Sequence, residues 1–495
     1  MLSMTPSSGL VGTLLSVALV CGACSDPRPN VLLVTLDTTR PDYMSAYGNE
    51  AGHTPNFDAI GNEGARFDMA ISASAVTPVS HASILTGRYP YNHGLRVLSA
   101  KGGARLPGSE STLATVFKGE GYRTAAVHSA FPVSAIFGFA KDFDVFESFD
   151  GLMKEGNKGT SWDMTKLQRR SDHTTDIALD FLADVDAPFF LWLHYWDPHD
   201  PWLRPGDEYL EGVPRGPDGE VQPGVELYAA EVHYLDAQFG RLIQGLKDRG
   251  LYESTIIVVT ADHGEGLADG VERHDWWAHR MVYQEQIRVP LLVRAPGLPG
   301  GAVVHATVRT VDIAPSILDY AGLPPPEGVD GRSFRNLIDG LPDEPRIAYA
   351  DQINGYDTNA KMVERKPEAA FLYMLLDGDW KLTYRPHMPG ASELFNLADD
   401  PKELTNVFDP ASEVVLRLLG DLARRDPWVL APFPPDGGPT MTSTLASSLQ
   451  GLGYAPGTVS AVDWEWACPK HPRFRANKRQ KHEECGSILI PVAAD

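Results

Sequence analysis

The chain has 495 residues, of which 43% are hydrophobic, and a formal charge of −22. That length and apolar content suffice for two domains with substantial cores and exclude disorder as the dominant state. The acidic balance argues against a nucleic-acid partner, because phosphate backbones are gripped by clustered Lys and Arg; its plainest meaning is solubility.

Leu10 to Val20 is an apolar run of secretory length, followed by Cys21-Gly22-Ala23-Cys24, whose small residues before Cys24 resemble a lipoprotein cleavage site. Residues 1–24 are therefore expected to act as an export signal, with Cys24 as a lipid anchor and the only membrane contact. That places the protein in the periplasm, at the outer membrane or on the cell surface. The alternative is cleavage and free release. The run is too short to span a bilayer, which takes about 20 apolar residues.

Three apolar runs follow, Val31 to Leu36, Phe189 to His194 and Thr255 to Thr260, each of a length that reads as a fully buried parallel strand. Helical periodicity lies between them at Thr175 to Val185 and at Val225 to Arg249. Thr124 to Ser129 and Val289 to Val293 read as further strands, and a helix begun near Asp312 closes before Gly322 and Pro324. Strands alternating with helices predict an α/β sheet. Ligands bind outside the carboxyl ends of such strands, where Asp37, His199 and Asp262-His263 all fall.

The character changes after Pro345: Phe371 to Leu376, Trp380 to Tyr384 and Glu393 to Asn396 read as short antiparallel strands. The expected organisation is a catalytic domain over 28–345, a smaller antiparallel-sheet subdomain over 346–431, and an irregular tail over 432–495. In an oxidising compartment Cys468 and Cys485 of that tail would most simply pair.

Several ordered motifs run from about Pro29 to Gly453. They are Asn30 to Asp37 with Arg40, Thr54-Pro55-Asn56, the segment Ser72 to Pro90, Asp197-Pro198-His199, and Thr260-Ala261-Asp262-His263-Gly264-Glu265. Later come Arg288-Val289-Pro290-Leu291, Thr310-Val311-Asp312-Ile313-Ala314-Pro315, and Glu393-Leu394-Phe395-Asn396-Leu397 with Asp400-Pro401. Together they resemble the sulfatase family of the alkaline phosphatase superfamily. The resemblance implies an alkaline-phosphatase-like mixed α/β sheet sandwiched by helices, with a smaller C-terminal α+β domain. It also implies metal-dependent hydrolysis of a sulfate ester or related phosphate ester carried by a small molecule or glycan. No oligomeric state follows from it.

The same comparison assigns roles. Asp37, Asp262 and His263 would hold a divalent metal (Ca, Mg, Mn or Zn), with Thr38 offering a hydroxyl where many arylsulfatases have a second Asp. Sulfatases oxidise a Cys or Ser to the formylglycine nucleophile; aligning on Ala82-Ser83 and Thr86-Gly87-Arg88 puts Thr77 there, and aligning on Pro78 puts Val76 there. No formylglycine is expected in either register, and a metal-activated Thr77 hydroxyl would attack directly. His199 would protonate the leaving oxygen. His81, standing where the family has Arg, would touch the nucleophile or the ester, and His279 would serve as a second group on the ester. His128 and Arg88 would bind substrate, His128 in place of a missing family lysine.

Plainer readings exist: a helix N-cap for Asp37, a turn residue for Thr77, a capping role for His81, a backbone-bonded strand end for His128. Thr77 and the Asp-His pair also suit a phosphodiesterase, a phosphonate monoester hydrolase or a phosphoryl-headgroup transferase. A third possibility is an exported anion- or glycan-binding homologue without turnover.

Overall fold

The computed structural model describes residues 28–98, 105–147, 168–185, 188–199, 203–269, 279–357, 363, 366–429, 464–468, 471–476 and 490–493. The export signal with Cys24, and the disulfide expected between Cys468 and Cys485, lie outside what is described.

The apolar runs form the centre of an eight-stranded sheet. Its order from one edge is Ala302–Val304, Ala65–Phe67, Leu291–Arg294, Thr255–Ala261, Asn30–Leu36, Phe189–Tyr195, Arg123–His128 and Val145–Glu147. Thr255–Ala261, Asn30–Leu36, Phe189–Tyr195 and Arg123–His128 run parallel. All seven residues of each of the first three are buried, which is why they read as uninterrupted apolar runs rather than alternating ones. Ser171–Ala183 packs on the strands Phe189–Tyr195 and Arg123–His128 and on the long helix Val225–Asp248, while Pro55–Glu63 packs on Leu291–Arg294. Phe57 stacks on Phe239 at 4.8 Å where Pro55–Glu63 meets the long helix.

Two elements differ from their sequence reading. The strand expected at 289–293 breaks at Pro290, which has no N–H for a ladder. Arg288–Val289 pairs with Ala70–Ile71, and Leu291–Arg294 runs antiparallel to Thr255–Ala261. The helix expected from Thr175 starts at Ser171, because the Asp197 carboxylate accepts from both the Ser171 N–H and its hydroxyl at 3.1 Å. That cap comes from the end of a different strand, so no local pattern announces it.

The helix Thr77–Thr86 is buried along its whole length. Pro78 sits in its first turn, where a missing N–H costs nothing. Gly87 ends it with φ of 68° and donates its N–H to the Ser83 carbonyl.

A four-stranded antiparallel sheet follows, ordered Ala348–Gln352, Leu372–Asp377, Trp380–Tyr384, Glu393–Asn396, with the helix Glu413–Arg425 packed on it. Its first strand docks on the segment leading into Thr77–Thr86: the Asp351 N–H donates to the Ala73 carbonyl at 3.1 Å, and the Ser74 hydroxyl to the Asp351 carbonyl at 3.0 Å. The tail, expected to be irregular, contains an antiparallel three-stranded sheet, with Trp464–Cys468 between His471–Ala476 and Ile490–Ala493. Among the described residues no helix is long and apolar enough to cross a membrane.

Arg96 ties the two regions together. Its guanidinium bonds Asp351 and, at 2.5 Å, Asp426, and lies 4.3 Å over the Trp428 ring. Burial pushes Asp351 up to about 6 against the pull of Arg96. Removing the cation leaves two buried carboxylates facing each other, so Arg96→Met should cost about 3–5 kcal/mol at neutral pH. A carboxyl raised when folded binds its proton more tightly in the native state, so acidification toward pH 5 should shrink that loss. Denaturant titration of both proteins at the two pH values measures it.

Candidate active site

Strand register builds the site. Leu36 lies opposite both Tyr195 and Ala261, so the residues that follow, Asp37 and Asp262, emerge side by side at the carboxyl edge of the sheet. Both are fully buried.

One oxygen of each carboxylate is held by protein. Asp37 Oδ2 lies 3.1 Å from His194 Nε2, and the Ser129 N–H points at His194 Nδ1, which assigns the ring proton to Nε2. Asp262 Oδ1 accepts from the His263 N–H at 2.7 Å and the Thr38 N–H at 3.2 Å. Thr38 takes a left-handed φ of 49°, uncommon for a β-branched residue. Tyr228 secures it by donating to its carbonyl at 2.7 Å.

The other oxygens, Asp37 Oδ1 and Asp262 Oδ2, are buried without a hydrogen-bond partner, as is the Thr38 hydroxyl. His263 donates through Nδ1 to the Gly264 carbonyl at 3.0 Å, so Nε2 presents its lone pair. That lone pair lies 3.3 Å from Asp262 Oδ2 and 3.3 Å from Thr77 Oγ1. Ligand atoms of Asp37, Asp262 and His263 lie within 4.8 Å of one another. Lone pairs facing lone pairs in a dry site repel. Burial raises both carboxyls well above their usual range, and the Asp262 charge raises Asp37 further. A divalent cation removes this conflict, and two carboxylate oxygens with one imidazole suit Mn or Zn at least as well as Ca.

Thr77 is the first residue of its helix, where the N-terminal dipole favours negative charge. His81, one turn on, donates from Nδ1 to the Thr77 carbonyl at 2.8 Å. Its Nε2 faces the Thr35 hydroxyl at 3.0 Å, and Trp192 Nε1 donates to that hydroxyl at 3.0 Å. Both nitrogens of His81 are therefore engaged, and burial lowers it to about 4. The sequence reading put His81 on the nucleophile or the ester; the structure sets it against the nucleophile candidate, as a neutral strut behind the Thr77 backbone.

His279 donates from Nδ1 to the Ala75 carbonyl at 2.8 Å, stacks on His263 at 4.3 Å, and brings its Nε2 to 3.1 Å from His199 Nε2. With His279 Nδ1 as the donor, the shared proton belongs to His199 Nε2. The His199 ring in turn stacks on Trp196 at 3.7 Å. Asp37, Thr38, Thr77, Asp262, His263, His199 and His279 thus surround one point.

Arg88 does not join them. Thr77 heads a ten-residue helix, roughly 15 Å long, and Arg88 follows its far end, its guanidinium held by both Glu110 oxygens at 2.8 Å. His128 also stands apart. It ends the strand beyond His194, opposite that residue in register, with Nδ1 on the Ala130 carbonyl at 3.0 Å. Sequence reasoning missed His194 as a support for Asp37; a lone histidine inside the apolar run Phe189–Tyr195 was the available signal.

The Sulfatase family model matches residues 29–323, and a model described as N-sulphoglucosamine sulphohydrolase, C-terminal, matches residues 272–424. The chain belongs to the sulfatase family. It is 27% identical to an arylsulfatase of Clostridium perfringens over 77% of this chain and 90% of that protein. Two solved structures share its fold. One, described as a complex with its substrate D-glucosamine-2-N,6-O-disulfate, matches at a TM-score of 0.67 and 22% identity over 81% of this chain and 98% of that one. The other is a phosphonate monoester hydrolase of Agrobacterium radiobacter, with a TM-score of 0.65 and 22% identity over 80% of this chain and 95% of that one. The alkaline-phosphatase-like α/β fold and a sulfuric ester hydrolase assignment rest on these relatives.

Chelator-treated protein should gain thermal stability when Mn or Zn is restored, by about 2.7 kcal/mol at a hundredfold excess over Kd. Asp262→Asn should abolish the response, and His194→Leu should weaken metal affinity about 10–100-fold. The response should fade as pH falls, because protons compete for the same carboxylates. Differential scanning calorimetry with and without metal reads all three.

Proposed function

We propose that this protein hydrolyses a sulfate ester, or a related phosphate ester, by in-line attack of Thr77 Oγ1. The observation that carries the proposal is the place of that hydroxyl, 3.3 Å from His263 Nε2 at the head of a buried helix and beside the Asp37–Asp262 pair. A divalent cation on Asp37, Asp262 and His263 would supply Lewis-acid polarisation and lower the pKa of a neighbouring hydroxyl.

The chain's own residues do the rest. His81 holds the Thr77 carbonyl, which fixes the direction of Oγ1. The helix N-terminus favours the charge that develops there. As the bond from Oγ1 to sulfur or phosphorus forms, the Thr77 proton passes to water, and as the bond to the leaving oxygen breaks, His199 Nε2 delivers a proton to that oxygen and takes one back from water. Thr77 carries a single hydroxyl, so the ester formed on it leaves by attack of water on the central atom.

A sulfate ester is favoured by family membership and by the relatives described as sulfatases. A phosphodiester or phosphonate monoester is the second reading. It is favoured by Thr77 in place of a residue convertible to formylglycine, by the Asp262-His263 pair, and by likeness to phosphonate monoester hydrolases. The run Leu10 to Val20 before Cys24 supports action outside the cytoplasm from a lipid anchor.

Purified protein should be assayed on matched aryl sulfate, phosphate monoester, phosphodiester and phosphonate substrates with Mg, Ca, Mn and Zn. Turnover should appear with at least one ester and fall by about 10⁴-fold or more in Thr77→Ala, the scale at which a covalent nucleophile contributes. Turnover unchanged in that variant would remove Thr77 as nucleophile. No turnover of any ester by the metal-loaded wild type would favour a binding protein.

A further inference from the structure

His279 reaches the site through a strained neighbour. Arg280 has a φ of 148°, a value that favours glycine, and such a conformation persists only where its surroundings over-determine it. Three contacts do so. The Gln286 side-chain oxygen accepts from the Arg280 N–H at 3.0 Å and from the Met281 N–H at 2.7 Å. The Asn354 amide donates to the Arg280 carbonyl at 2.9 Å. Asp357 binds the Arg280 guanidinium at 2.6 Å.

Two of these three come from the smaller sheet's side of the molecule, just beyond its strand Ala348–Gln352. Asn354 is itself fixed, since its amide also donates to the Ala369 carbonyl at 2.8 Å. Gly355 lets the turn lie flat on Phe371, whose ring would meet an added Cβ at 2.4 Å. The clamp is therefore built on a rigid base. Its output is the ring of His279, one residue before the strain, poised between Ala75, His263 and His199.

The geometry points to Asn354 and Gln286 as positioning residues that hold Arg280 in its strained turn and thereby set His279 against His199. This rests on the proposed function only in taking His199, whose Nε2 faces His279 Nε2 at 3.1 Å, as the proton donor. A polar clamp that served the fold alone would not need to force a non-glycine residue to this φ directly beside a site histidine.

Glycine adopts that φ at no cost, which gives a discriminating test. On whichever ester the wild type hydrolyses, Asn354→Ala should lower kcat roughly 10- to 100-fold with KM little changed, the scale at which small misplacements act. Adding Arg280→Gly to Asn354→Ala should restore much of that loss, because the backbone no longer needs the clamp. Arg280→Gly alone should keep near-native kcat. Gln286→Glu, which retains the acceptor oxygen, should stay active where Gln286→Leu does not.

A folded Asn354→Ala with native kcat, or a double variant no better than the single one, overturns the inference. If Asn354→Ala does not fold, the Gln286 pair decides: equal loss in both variants overturns it. His279→Ala separates the two levels, since full activity there shows that His199 needs no partner at its Nε2, whereas inactivity there beside a fully active Asn354→Ala removes only the clamp. A crystal structure of Asn354→Ala reads the same point without turnover. The inference expects His279 Nε2 beyond hydrogen-bond reach of His199 and φ at residue 280 turned negative; an unmoved His279 overturns it.

Discussion

Repulsion between two buried carboxylates governs this structure. Parallel pairing of the central strands sets Asp37 and Asp262 next to each other, each with one oxygen facing the lone pairs of its neighbours. Unit charges about 4 Å apart repel by on the order of 4 kcal/mol at an effective dielectric of about 20. A divalent metal ion would reconcile the burial with the charge, and much of the surrounding polar structure fixes these groups in place. His194 orients Asp37, the Thr38 and His263 N–H groups orient Asp262, and Tyr228 holds the left-handed Thr38.

Behind this centre stands a second layer of hydrogen bonds. Trp192, Thr35 and His81 form a chain that ends on the Thr77 carbonyl, so the β-sheet core communicates with the helix that presents the hydroxyl. The Ser72 and Ser80 hydroxyls bond the Asp262 carbonyl at 2.5 Å and 2.6 Å, tying that helix to the neighbouring strand end. Thr77 and the Asp262-His263 segment are thereby tied into one hydrogen-bonded unit, the kind of arrangement that pre-organised catalysis requires.

The smaller sheet contributes more than bulk. Its first strand docks on Ala73 and Ser74, its Asp351 joins Asp426 around Arg96, and its following turn carries Asn354 and Asp357 to Arg280. The segment leading to Thr77 and the segment carrying His279 are braced by the same structure. One chain region, distant in sequence from Asp37, Asp262 and His263, thus braces two segments of the candidate site.

Much of this was legible in the sequence. Apolar runs announced the central strands, because burial on both faces leaves no polar alternation, and a metal-binding type of residue after each run placed Asp37, His199 and Asp262-His263 at one edge. What sequence could not give were relations between elements. Whether His81 touches the ester or braces the backbone depends on Thr35 reaching it from another strand. The separation of Arg88 from Thr77 follows from the intervening helix being straight and buried. The break at Pro290, the cap on Ser171 and the strain at Arg280 depend on partners many residues away. Short-range pattern and chemistry determined which residues could act. Only the tertiary structure decided which of them meet, because contact is set by strand register and by hydrogen bonds that close across the chain.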